Sequence, residues 1–89
     1  MNNFAAVFAA QLMAKPDRSP SDDAILGILN APDSARKKRQ VNRMERHARR
    51  HLGFSDKENV DWASAIDWSK AIDKLLQFLA LILPMLLKL

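Results

Sequence analysis

The chain contains no cysteine and no tyrosine, only two glycines, and as aromatics four Phe and two Trp. Without cysteine there are no disulfides, no thiolate nucleophile and no Cys-ligated zinc. Two glycines leave no Gly-rich loop to cradle a nucleotide phosphate. The shortage of β-branched and aromatic residues, set against abundant Ala and Leu, favours helix over sheet. At 89 residues the chain is one small domain at most and buries a modest share of its surface.

What is present is uneven. The net charge is +4, and the excess lies between residues 34 and 53, where Arg36, Lys37, Lys38, Arg39, Arg43, Arg46, Arg49 and Arg50 face one acid, Glu45. The other large feature is the C-terminus, where Leu75 to Leu89 is interrupted only by Gln77, Pro84 and Lys88. One end seeks anions, the other hydrocarbon or a protein groove.

Punctuation along the chain marks the helices. Phe4, Val7, Phe8 and Leu12 form one apolar stripe of an Ala-rich helix over Asn3 to Ala14, stopped by Lys15 and Pro16. Nothing before Lys15 supplies the basic region of a secretory signal, so no cleaved leader is expected. Ser19-Pro20-Ser21-Asp22 offers an N-cap, a Pro at the first helical position and a first-turn carboxylate, which opens a short helix to about Asn30 with Ile25, Ile28 and Leu29 inward. Asn30-Ala31-Pro32-Asp33 breaks it and begins the basic helix, which runs to Leu52 before Gly53. Ser55-Asp56-Lys57-Glu58 fits a capping box, so a last helix is expected to begin near Asp56 or shortly after. The echo Val60-Asp61-Trp62, Ile66-Asp67-Trp68 and Ile72-Asp73-Lys74 recurs every six residues, which is no helical period, and is read as coincidence or local duplication.

At about 100° per residue, Arg36, Arg39, Arg43, Arg46 and Arg50 fall within a sector roughly 80° wide. The opposite side carries Val41, Met44, Ala48 and Leu52, so the helix can dock while the arginines project. A solvated charged face is the plain alternative. Against it, so little local pairing makes the repulsion costly without a counter-anion, and arginine forks suit phosphate. All eight basic residues are therefore candidates for binding nucleic acid or anionic lipid. His47 and His51 stand four apart, but flanking arginines repel a cation, so they are read as pH-dependent charge that appears below roughly pH 6.5. No catalytic constellation, metal site, cofactor or small-molecule substrate is expected, and no enzyme.

For the C-terminus three readings stay open: a membrane anchor or interfacial segment, a helix buried in a homo-oligomer or partner, and an ordinary core helix. Fifteen residues at 1.5 Å rise reach about 22 Å, short of the roughly 30 Å of a bilayer's hydrocarbon. Trp62 and Trp68 stand where an interfacial belt would lie, ahead of Leu75, Leu76, Phe78, Leu79, Leu81, Ile82, Leu83, Leu86 and Leu87 as the membrane or oligomer surface.

The stretch Ala35 to Arg46 resembles the arginine-rich helices with which phage antitermination proteins grip RNA hairpins, which implies RNA as a partner. A basic segment followed by an apolar C-terminus is similar to lysis proteins of single-stranded RNA phages, although their leucine-serine pair is absent, and to small membrane proteins of lipid-containing virions. No identification follows.

The expectation is thus an all-α protein: a helical domain over residues 1–53 as a loose three-helix bundle, a connector over 54–59, and an amphipathic-to-apolar helix over 60–89. Its expected role is that of a membrane-associated accessory protein, as in a phage or virion, with the basic segment on the cytoplasmic or virion-interior side. The alternatives are a soluble nucleic-acid-binding homo-oligomer and a lytic, membrane-perturbing peptide.

Overall fold

The computed structural model describes residues 3–89. Among them the protein is all-α, with helices α1 (Phe4–Ala14), α2 (Pro20–Asn30), α3 (Ala35–Leu52) and α4 (Trp68–Leu87). The start and stop residues act as their chemistry dictates. Ser19 caps α2 in a reciprocal box, its Oγ accepting from the Asp22 amide and the Asp22 carboxylate accepting from the Ser19 amide, both at 3.1 Å. Ser34 caps α3 through the Lys37 amide at 3.0 Å. At the other end of α3, Gly53 adopts φ 85°, and its amide and that of Phe54 satisfy the last carbonyls of the helix.

α2 sits centrally and packs against α1, α3 and α4, while α3 and α4 share the most extensive contact. The pair is antiparallel: Arg36 reaches Leu87, Gln40 reaches Leu86, and His51 lies on Phe78. One continuous core draws on all four helices, with Phe4, Phe8, Leu12, Ile25, Met44, Leu75, Leu79 and Leu86 fully enclosed. On the far side of α4, Lys15 stands within 3.3–3.8 Å of the carboxylates of Asp17, Asp22 and Asp73. Burial opposes its charge, but those carboxylates outweigh it and raise its pKa.

The largest departure from the sequence reading concerns residues 54 to 67. The last helix begins at Trp68, so the connector expected over 54–59 extends through Asp67. Ser55 and Glu58 do meet, the Ser55 amide 3.5 Å from the Glu58 carboxylate, but only a turn forms. The competing force is burial of Val60 and Trp62, which a helix running straight on from Asp56 would not place together in the core. Asp61 then starts a second turn, its carbonyl taking the amides of Ser64 and Ala65. Its carboxylate accepts from the Ser64 hydroxyl at 2.6 Å and from the Ala63 amide, which holds its pKa below the usual range despite the opposing effect of desolvation. That turn aborts. Asp67 repeats the move, with its carbonyl taking the amides of Lys70 and Ala71, and this time the helix continues.

Both tryptophans belong to the core rather than to an interfacial belt. Trp62 meets Phe4 edge-on at 4.8 Å, and Trp68 stacks on Phe8 at 5.7 Å. Four leucines of the apolar C-terminus, Leu75, Leu76, Leu79 and Leu86, are buried within the same chain, and Phe78, Ile82 and Leu83 are half-buried against it. Among the described residues no helix is long and apolar enough to cross a membrane. Of the eleven residues assigned to a membrane or oligomer surface, only Leu81 and Leu87 are exposed.

Candidate phosphate-binding face

α3 is packed on two sides and open on a third. Met44 and Ala48 enter the core, with Val41 and Leu52 half-buried beside them, as their spacing predicts. Gln40 and Glu45 are buried as well. The arc opposite is exposed and holds Arg39, Arg46 and Arg50, with Arg43 half-buried at its edge toward α4. The arginines therefore gather along one side, but they are not equivalent.

Arg36 is committed to α4: its Nε donates to the main-chain oxygen of Leu89 at 2.9 Å and its Nη2 to that of Leu87 at 2.8 Å. A cation there satisfies free carbonyls and complements the negative end of the helix dipole. Lys37 turns back to the Ala31 carbonyl at 2.6 Å and lies 3.5 Å from Asp33. Arg49 is structural. It pairs with buried Glu45 at 3.0 Å, donates to the carbonyls of Ser55 and Glu58, and lies 5.7 Å over the Trp62 ring. Arg50 has a 4.0 Å approach to Asp56, and Arg43 lies 3.9 Å from the sulfur of Met85. Lys38, Arg39 and Arg46 make no hydrogen bond or ion pair among the described residues. The eight candidates thus divide into three that hold the fold (Arg36, Lys37, Arg49) and five whose charge faces solvent in whole or in part.

The histidines also have a structural task. His51 stacks on Phe78 at 4.8 Å with 18° between the planes, and His47 leans on the same ring at 6.2 Å. Burial first, then the charges of Arg50, Arg43 and Arg46, push the His47 pKa below its ordinary value. His47 therefore charges at a lower pH than its sequence suggests.

Because α4 runs antiparallel beside α3, its outward side extends the arginine face. Leu81 is 80% exposed and Met85 36% exposed. Lys74 and Lys88, both exposed, lie seven residues before and after Leu81, so at helical spacing they fall on its line, about 10 Å away in either direction. Neither lysine nor Met85 stood among the sequence candidates. The seven-residue spacing was visible, but nothing in the sequence told which helix would lie against α3. The only acid in α4, Asp73, points the other way, to Lys15, and the only acid in α3, Glu45, is buried.

No family model, curated protein or solved structure matches this chain.

Proposed function

We propose that the protein is a non-enzymatic binder of phosphate-bearing polyanions, acting through Arg39, Arg43, Arg46 and Arg50 on the outward side of α3. The observation that supports this reading is the lack of carboxylate partners: among the described residues only Asp56 approaches any of the four arginines, at 4.0 Å, and it approaches Arg50 alone. Cations fixed this close on a rigid helix repel one another, and a row of anions relieves that repulsion. From Arg39 to Arg50 the face extends about 16 Å, enough to meet several phosphates at once. Guanidinium forks bind each phosphate through two parallel hydrogen bonds. Arg36 drops out of the set because its donors already serve α4.

The test exchanges these four arginines for Gln and measures binding to a DNA duplex, to single-stranded RNA and to anionic vesicles. Native protein is expected to bind at least one of these polyanions and the quadruple variant to lose most of that affinity. If four duplex phosphates are neutralised, log affinity falls against log salt with a slope of about −3.5. Equal affinity of native and variant protein for all three would reject the reading.

A further inference from the structure

We propose that the polyanion this face meets is an anionic lipid bilayer, with Leu81 and Met85 entering its interface while Arg39, Arg43, Arg46, Arg50, Lys74 and Lys88 hold headgroup phosphates. The proposal rests on the phosphate-binding reading and adds its occupant. Three observations join here. Leu81 is 80% exposed although α4 buries four other leucines in the core, so a large apolar side chain has been left outside. Met85 lies against it one turn on and touches Arg43, with 3.9 Å between sulfur and guanidinium nitrogen, so the apolar ridge and the arginine row form one surface. Cations border the ridge, with α3 arginines along one side and Lys74 and Lys88 at its two ends on the line of Leu81, while Asp73, the acid of α4, is drawn to Lys15 at 3.7 Å.

A bilayer surface matches this pattern in depth as well as charge. Headgroup phosphates lie at the level of the cations, and the acyl boundary lies about 5–10 Å below, within reach of a projecting Leu and Met. A nucleic-acid backbone would answer the arginines but would set sugar and phosphate against Leu81. A second copy of the chain would answer Leu81 but would set arginine against arginine. Each cation close to an anionic surface contributes roughly fivefold in affinity, and burial of the ridge about tenfold more. The helix lies flat, and nothing need leave the core.

Co-sedimentation with vesicles of phosphatidylcholine alone and of phosphatidylcholine mixed with phosphatidylglycerol tests this, with a DNA duplex measured beside them. Native protein is expected to bind the mixed vesicles, to ignore the neutral ones and to release in high salt. Leu81→Ser with Met85→Ser removes the apolar ridge but leaves every arginine in place, and is expected to weaken vesicle binding about tenfold, well beyond any change in duplex binding. Leu81→Trp supplies an independent reading: the emission of the added indole is expected to shift to the blue when mixed vesicles are added. Unchanged vesicle affinity in the double Ser variant, or unshifted indole emission from the Leu81→Trp variant with vesicles bound, overturns the insertion of the ridge. Absence of vesicle binding together with arginine-dependent duplex or RNA binding overturns the lipid assignment and leaves the phosphate-binding reading standing. If native protein binds none of these, both fall.

Discussion

Arg49 and Glu45, one turn apart on α3, form an ion pair at 3.0 Å that is largely closed to solvent, and the same guanidinium holds the carbonyls of Ser55 and Glu58. This one side chain fastens the irregular segment after Gly53 to the helix before it. Glu45 is 5% exposed, and the Arg49 guanidinium lies directly against its buried carboxylate. Arg49→Gln is therefore expected to cost about 3 kcal/mol in urea denaturation, whereas Arg39→Gln, which breaks nothing in the fold, stays within about 0.5 kcal/mol. Arg49→Lys keeps the charge but not the planar fork and is expected to fall between them.

The same pair shows what could be read from the chain alone. Period, breakers and caps place the arginines on one arc and set the bounds of the first three helices nearly to the residue, because those signals are local: Ser19 with Pro20, Pro32 with Asp33, and Gly53. Which arginine would find a carbonyl could not be read, since the acceptors of Arg49 and Arg36 come from chain six to 53 residues away. The start of α4 was missed for a related reason. Three candidate starts, at Ser55, Asp61 and Asp67, are each chemically sound, and the choice among them falls to Val60, Trp62 and Trp68, whose burial requires extended chain between turns. The repeated apolar-Asp-Trp triplet, which has no helical period, marks two attempts at the same turn, each placing its Trp inward and its Asp outward.

The last turn of α4 depends on α3. Pro84 offers no amide to the Ala80 carbonyl, so the helix loses a hydrogen bond just before its end. Gln40 compensates from the buried side, its amide donating to the Leu86 carbonyl at 3.2 Å, and Arg36 from the exposed side. Gln40→Ala removes a buried hydrogen bond from the Leu86 carbonyl, which keeps the Leu89 amide at 3.2 Å, and is expected to cost about 1 kcal/mol, the same order as Arg36→Gln, whose carbonyls water can reach. Hydrogen exchange at Leu86 and Leu87 should accelerate in both variants, without change in α1.

The two tryptophans separate packing from hydrogen bonding. Trp68 donates its indole N–H to the Trp62 carbonyl at 2.9 Å inside the core, while the Trp62 indole N–H has no acceptor among the described residues. Phe at position 68 forfeits a buried bond and strands a carbonyl. Phe at position 62 removes a donor that has none to lose, and it keeps an aromatic face for Arg49. Trp68→Phe is therefore expected to destabilise by about 1–2 kcal/mol more than Trp62→Phe in urea or thermal unfolding.

His47 couples the face to pH. Its pKa is lowered by burial and by Arg50, Arg43 and Arg46, so the folded protein prefers the neutral ring more strongly than the unfolded chain does. Below the unfolded value of about 6.5 the unfolded state binds the extra proton first. The contribution of His47 to stability is thus complete above that pH and declines as pH falls through it toward the lower folded value. His47→Gln should remove this part of the pH dependence of urea midpoints. Anion binding reverses the effect: phosphates seated on Arg43, Arg46 and Arg50 neutralise the charges that oppose protonation, so the His47 pKa rises on binding. By linkage, affinity must increase as pH falls across the interval between the free and bound values. Proton NMR of the His47 ring with and without saturating anionic vesicles or oligonucleotide measures that interval directly. An unmoved titration would mean that phosphate does not sit beside those arginines.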